Sequence, residues 1–402
     1  MEIIAPDISE QITDKEKQLF NYLLNFINQK YIDVTMRIAG GWVRDKILKK
    51  ECHDIDIALD NLMGEDFLNQ FTEFIKENGQ QNLISKIGII KSNPEQSKHL
   101  QTATCSIFGF DVDFVNLRGE EYTENSRIPY IKFGTPLQDA ERRDLTINAL
   151  FYNINQNKIE DFTGKGINDL QNKFIRTPLE PLQTFLDDPL RILRTFRFAS
   201  KFQYQISPEI IKALKDERIK SNLSSKVSKE RIRTELTKII LDQNCILGLK
   251  YIYENNLWPV VFEINENCDE IKNQDFYLKK QQESYQMSIL AIQHMDIILQ
   301  KEIFKNNYSQ QDIKLIFIMS CIAFPFTQLT FKKEKILFLW YKIQFLINQN
   351  FLIKLQKFVL LLLQYVKVLK FFNKLLIKIL IMNSIISPCL LKNKEIYGKW
   401  LF

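Results

Sequence analysis

In KEKQLFNYLLNFINQK (15–30) apolar residues recur roughly every three to four positions, which predicts an amphipathic helix, and similar spacing predicts another over 64–78. Between them the pattern changes. TMRIAGGWVRDKILKK reads as a short strand (36–39), a Gly-Gly turn and a helix, and HDIDIALD alternates polar and apolar as a half-buried strand does. The segments 83–92, 101–108 and 110–117 read as strands, the last with Asp111 and Asp113 on one face and Val112 and Phe114 on the other. Residues 118–141, polar and punctuated by Pro129 and Gly134, read as loop and turn. A helix or turn-helix follows at 139–149, then a strand at 149–154 and a Gly-containing connector, DFTGKGINDL. From about 184 onward the pattern is helical with almost no Gly, and no internal repeat is evident. The predicted fold class is α+β: a head with a small mixed sheet and helices, then an all-helical remainder.

At 402 residues, 45% hydrophobic and 25% charged, the chain has an ordinary globular composition and room for two to four domains. Six scattered Cys without a C-x-x-C motif, and no His pair at metal spacing, argue for reduced thiols and against zinc. The net charge of +6 is unevenly spread: from Lys335 onward eleven Lys face one Glu, so the preceding residues sum to −4. Arginine is more informative than charge. All thirteen Arg lie between Arg37 and Arg233, although Lys is abundant throughout. Arg is needed where a planar fork must meet phosphates or base edges, so 37–233 is where chemistry is expected.

Within that window Gly40-Gly41, between a strand and a helix, leaves backbone N–H groups open to a phosphate. Asp54 and Asp56 share one strand face, a costly pairing unless a cation lies between them, and hard oxygen ligands favour Mg²⁺. A second acidic strand, with Asp111 and Asp113, would complete a carboxylate cage for two metal ions spanning a phosphoryl transfer. In LDDPLRILRTFRFA (186–199), Asp188 and Arg191 are three apart on one helix face, and Arg194 and Arg197 continue the row. Taken alone, Asp188 before Pro189 is equally a helix cap with a neighbouring salt bridge.

GGWVRD (40–45), HDIDIAL (53–59), VDFVNLR (112–118), FGTPLQDAERRDLTINALFY (133–152), DFTGKG (161–166), DDPLRILRTFRFA (187–199) and SKERIRTEL (228–236) occur in an order and spacing that resemble the class II tRNA nucleotidyltransferases. These are the CCA-adding enzymes of the polymerase-β-like nucleotidyltransferase superfamily, here of eukaryotic type. The resemblance is close over roughly 30–240. It implies a catalytic head with a polymerase-β-like fold, then a helical neck, body and tail. It implies Asp54, Asp56 and Asp113 as the metal-binding catalytic acids, with Asp111 on the same face as Asp113. Gly40, Gly41 and Arg44 match positions that hold the triphosphate, with Asp45 orienting the Arg. Arg143, Asp144 and Asn148 match the RRD region linked to ribose and phosphates. GKG at 164–166 matches the family's hinge; it is not a P-loop. Asp188 and Arg191 match the protein template that reads the incoming base. A carboxylate accepts from the amino group shared by C and A, while the carbonyl of G or U faces it repulsively. Arg194, Arg197, Lys229 and Arg231, with Arg233, are expected either to support that template helix or to meet RNA phosphates; for Arg194 and Arg197 neighbouring acids are the alternative.

The resemblance divides the chain into an N-terminal extension (1–30), the catalytic head (31–154), a neck with the base template (155–240), a tRNA-binding body (241–332) and a Lys-rich tail (333–402). It implies Mg²⁺ as cofactor, CTP and ATP as nucleotides, and tRNA, gripped at acceptor end and elbow, as partner. The alternatives are a CC-adding or A-adding enzyme, a related poly(A) polymerase, or an inactive RNA-binding protein. In the tail, the stretch 338–380 is apolar with spaced Lys and no acid, and its Lys-free runs are too short to span a membrane. A basic amphipathic helix on RNA or a membrane surface is one reading, and a misread exon or frame change after about 332 is the other. The acidic first twenty residues resemble neither a signal nor a transit peptide and favour the cytoplasm, with nucleus and mitochondrion as alternatives.

Overall fold

Thr13 opens the first helix, α1 (Asp14–Gln29), through a capping box with Glu16. The α1 face carrying Leu19, Leu23 and Phe26 is fully buried. A computed structural model describes residues 5–52, 54–90, 102–123, 126–262, 273–299 and 309–326. These fall within one compact unit, Met1–Lys335, and the tail at 338–380 lies outside the described residues. After α1 come β1 (Met36–Ala39), α2 (Gly41–Ile47), β2 (Asp54–Leu59), α3 (Gly64–Glu77), β3 (Ile84–Ile90), β4 (Thr102–Ile107) and β5 (Phe110–Asn116). With β8 (Phe151–Asn153) and β9 (Lys158–Glu160) these strands form a seven-stranded sheet in the order β3-β4-β5-β2-β1-β8-β9. Only β2 and β5 run parallel. Their pleat buries Ile55, Ile57, Val112 and Phe114, where α3 packs Phe67 and Phe71 onto Phe114. Alternation therefore leaves Asp54 and Asp56 on the opposite, exposed face. The approach of α3 is close enough that a Cβ on Gly64 would lie 2.4 Å from the Phe114 carbonyl oxygen, so only glycine fits there.

The expectation of loop over 118–141 is corrected. Arg118–Thr123 and Ser126–Phe133 form a separate antiparallel hairpin, β6 and β7, followed by α4 (Pro136–Glu141). A two-stranded ribbon has two free edges, so it tolerates the polar residues and proline that argue against a core strand. Pro129 falls where the register shifts, between the Glu121–Tyr130 and Thr123–Ser126 pairs. The expected helix at 139–149 divides into α4 and a single 3-10 turn at Thr146–Asn148, with Arg142, Arg143 and Asp144 in the bend between them. The connector DFTGKGINDL is partly helical: α5 covers Gly166–Gln171.

The remainder is mostly helical, as its pattern predicts: α6 (Pro181–Asp187), α7 (Leu190–Phe202), α8 (Pro208–Ala213), α9 (Glu217–Lys226), α10 (Lys229–Leu241), α11 (Cys245–Glu254), α12 (Trp258–Val261), α13 (Gln274–Gln293), α14 (Met295–Leu299) and α15 (Gln310–Ala323). One exception is a two-residue parallel pairing of β10 (Phe174–Ile175) with β11 (Gln205–Ile206). No described helix is long and apolar enough to cross a membrane.

One buried carboxylate ties α1 to α2. Glu16 is wholly buried and accepts from the Thr13 backbone at 2.7 Å, the Trp42 indole at 2.8 Å and the Lys46 ammonium at 2.7 Å. Burial works to raise its pKa, but Lys46 and the hydrogen bonds outweigh that and hold it below the ordinary glutamate value. Glu16→Ala would strand the buried Lys46 charge and is expected to cost about 3–5 kcal/mol, read from the urea midpoint. Because the folded-state pKa is lowered, the contribution of Glu16 is present at neutral pH. It should fade only as pH falls below the ordinary glutamate value toward the lowered one, which acid titration of the wild type against Glu16→Ala checks.

Candidate active site

The parallel register of β2 and β5 sets acid beside acid: Asp54 opposite Asp111, and Asp56 opposite Asp113. Asp56 keeps exposed surface on this face, yet it is held above the ordinary aspartate pKa, first by partial desolvation of its carboxyl among its neighbours and then by the charges of Asp113 and Asp54, while Arg143 works in the other direction. A cation is what such a field lacks, and carboxylate oxygens suit a hard divalent one. The two candidates for third acid differ in their surroundings. Asp111 lies at the strand end, 68% exposed, with the Lys86 ammonium 3.7 Å away. Asp113 is half-buried and close enough to perturb Asp56, which favours Asp113. The carboxylates lie side by side along the strands without closing on a point. Among the described residues no three His, Cys, Asp or Glu side chains are gathered as a ligand set.

Beside these acids, the chain between β1 and α2 passes through Gly40 at φ 74° and ψ −117°, a conformation essentially confined to glycine. A Cβ there would also lie 2.7 Å from Nη1 of Arg143. Arg143 spans the site: it donates to the Asn148 carbonyl (3.2 Å), packs over Phe151 and moderates Asp56. Its guanidinium is fixed by Asp139, which also holds Arg142. Burial would raise the Asp139 pKa, but the two arginines hold it below the ordinary value. Arg143 thus links the Gly40 turn on one side with Asp56 on the other, so that backbone N–H groups, a guanidinium and the β2 acids are neighbours. Arg44, by contrast, points into the protein. It is buried, paired in bidentate fashion with Asp45 at 2.8 and 2.9 Å, and donates to the Asn148 side-chain oxygen.

Asp144 is buried and acts as a junction. It accepts from Leu145 N–H (2.8 Å), Asn148 Nδ2 (3.0 Å) and, through its second oxygen, Arg194 (2.6 Å). Burial opposes its charge, but Arg194 and Asn148 prevail and hold its pKa below the ordinary value. Arg194 and Arg197 both meet Glu235 on α10, at 3.8 and 2.6 Å, so the arginine row meets neighbouring acids. Asp188 ends α6 while Pro189 precedes α7. Its Oδ1 accepts from Leu190 N–H at 3.2 Å, so the capping role exists, one position earlier than a standard N-cap. The same carboxylate pairs with Arg231 at 2.8 Å, while Arg191 donates to the Arg142 carbonyl at 2.8 Å. Lys229 is half-buried at the start of α10.

Residues 36–176 match the family model described as Poly A polymerase head domain, and 203–268 match one described as the probable RNA and SrmB-binding site of polymerase A. The chain is 48% identical over 260 residues to a mitochondrial CCA tRNA nucleotidyltransferase of Candida glabrata, covering 63% of this chain and 49% of that protein. It is 41% identical over 349 residues to the Saccharomyces cerevisiae protein of the same name, covering 81% of this chain and 63% of that one. The chain belongs to the tRNA nucleotidyltransferase family. It spans about half to just under two thirds of the length of these relatives. An apo CCA-adding enzyme structure shares the fold, with a TM-score of 0.61 at 20% identity over 87% of this chain and 73% of that one.

Asp139 and Glu235 hold the site's arginines without standing out in the sequence. Asp139 precedes the arginine pair at i+3 and i+4, the spacing at which helical ion pairs form, and that was its available signal. Glu235, within SKERIRTEL, carries no local mark of its partnership with Arg194 and Arg197, which lie some forty residues earlier. Gly40→Ala is expected to cost about 1–3 kcal/mol in stability from backbone strain. It should also push Arg143 off Asn148; a lowered urea midpoint together with weakened nucleotide binding by calorimetry checks both effects.

Proposed function

We propose that this chain rebuilds the CCA end of tRNA from CTP and ATP without a nucleic-acid template, releasing pyrophosphate at each addition. The observation that carries the reading is the pairing of Asp56 with Asp113 beside the Gly40-Gly41 turn and Arg143. In this reading Asp54, Asp56 and Asp113 hold Mg²⁺. Bound there, the metal supplies the positive charge that activates a 3′-hydroxyl and stabilises the leaving phosphate oxygen in an in-line displacement. Backbone N–H groups at Gly40 and Gly41 and the Arg143 guanidinium receive the triphosphate. Arg44, Asp144 and Asn148 act one layer back, fixing α2 and the RRD bend. Asp188 and Arg191 read the base, and the contact of Arg191 with the Arg142 carbonyl supports this by tying the reader to the phosphate-binding side. The names of the two yeast relatives favour a mitochondrial pool.

Incubating the protein with Mg²⁺, single nucleotides and a tRNA transcript lacking CCA should give two C additions and then one A. Addition of C without A would replace the full reading by a CC-adding one, and an untemplated run of A would favour poly(A) polymerase. Asp56→Asn should reduce incorporation by at least about a thousandfold while leaving the melting temperature near wild type. Arg191→Ala should relax or abolish selection of C and A with the fold intact; loss of folding would return Asp188 and Arg191 to a purely structural role.

A further inference from the structure

We infer that Arg231 is a positioning residue for base selection: it clamps the Asp188 carboxylate from α10 so that one defined oxygen faces the incoming base. The inference rests on Asp188 being the base reader and adds which atom reads and what aims it.

The geometry is a matter of counting acceptor sites. An ionised carboxylate offers about two per oxygen. Oδ1 receives Leu190 N–H at 3.2 Å and Arg231 Nη1 at 3.4 Å, which use both of its sites. Oδ2 receives Arg231 Nη2 at 2.8 Å and, among the described residues, no second donor. The carboxylate remains 17% exposed. A single acceptor site on Oδ2 is therefore left for an amino group at the position where cytosine carries N4 and adenine N6, and where uracil and guanine carry a carbonyl. A planar guanidinium holding both oxygens also fixes the rotation of the carboxylate, which a point charge cannot do. Ser228 and the Lys229–Leu241 helix in turn fix Arg231: the Ser228 side chain caps α10, and Glu235 joins the same helix to Arg194 and Arg197 on α7. The clamp thus sits on an element locked to the template helix at a second point.

Without the clamp the carboxylate can turn, Oδ1 and Oδ2 become interchangeable, and the penalty against a carbonyl at that position weakens. The loss should fall on discrimination, since the phosphate-binding side is untouched. The test uses the full chain, a tRNA transcript lacking CCA, and each of CTP, ATP, UTP and GTP alone. Arg231→Met, close in shape but uncharged, should raise the UTP-to-CTP ratio of kcat/KM roughly tenfold, with a higher KM for CTP and an unchanged KM for tRNA. Arg231→Lys should recover only part of the selection. If the Met variant fails to fold, the Lys variant decides alone: a ratio above wild type supports the clamp and a wild-type ratio overturns it. A raised KM for tRNA with an unchanged nucleotide ratio would overturn it too, making Arg231 an RNA contact. Failure of the underlying reading looks different: Asp188→Ala would then leave nucleotide choice at wild-type values.

Discussion

The buried Asp144 carboxylate is the point through which the parts of the site are held to one another. It receives Asn148 from the 3-10 turn and Arg194 from α7, and Asn148 in turn receives Arg44 from α2. Beyond Arg194, Glu235 extends the chain of contacts to α10. A carboxylate without water must have its lone pairs met, and here it is met by groups from the head and from the helical region that follows. Removing any of them would leave a charge or a donor stranded, so the elements share one arrangement. The acids of β2 and the Asp188–Arg191 stretch are joined through this junction by way of the RRD bend and α7.

Around that junction the aromatic residues of α7 take up the guanidinium faces. Arg44, Arg194 and Arg197 all lie over Phe198, with Arg197 at 4.1 Å from the ring centroid, and Phe198 stacks on Phe202. Cation–π contact supplements the ion pairs without consuming any hydrogen-bond donors. The arginines stay oriented while their N–H groups serve the carboxylates. This explains why Arg rather than Lys occupies these places in a chain otherwise rich in Lys.

Much of the head was legible because its information is local. Alternation in DIDIAL and FDVDFVN announced both acidic strands, and their parallel pairing set Asp54, Asp56, Asp111 and Asp113 in register. The β6–β7 hairpin was not legible: RGEEYT and SRIPYIKF lack the apolar alternation that marks a strand, and Pro129 argued against one. Within the site, sequence spacing exposed Asp188 and Arg191 but implied that they serve each other. In the folded chain Asp188 meets Arg231 and Arg191 meets the Arg142 carbonyl, partners separated by 43 and 49 residues. Such pairings depend on how helices pack and leave no periodic trace.

The mixture of charge types in the site has a consequence for its response to acid. Guanidinium groups do not deprotonate over the range in which proteins work. The carboxylates that hold them, Asp139 and Asp144, are held below the ordinary aspartate pKa by those guanidinium groups. Asp56 is displaced in the opposite direction. As pH falls, the proton therefore reaches Asp56 before it reaches the struts behind it. Acidification should neutralise Asp56 while the ion pairs that hold Arg143 and Arg194 still stand, and raising the pH should recharge it without rebuilding them.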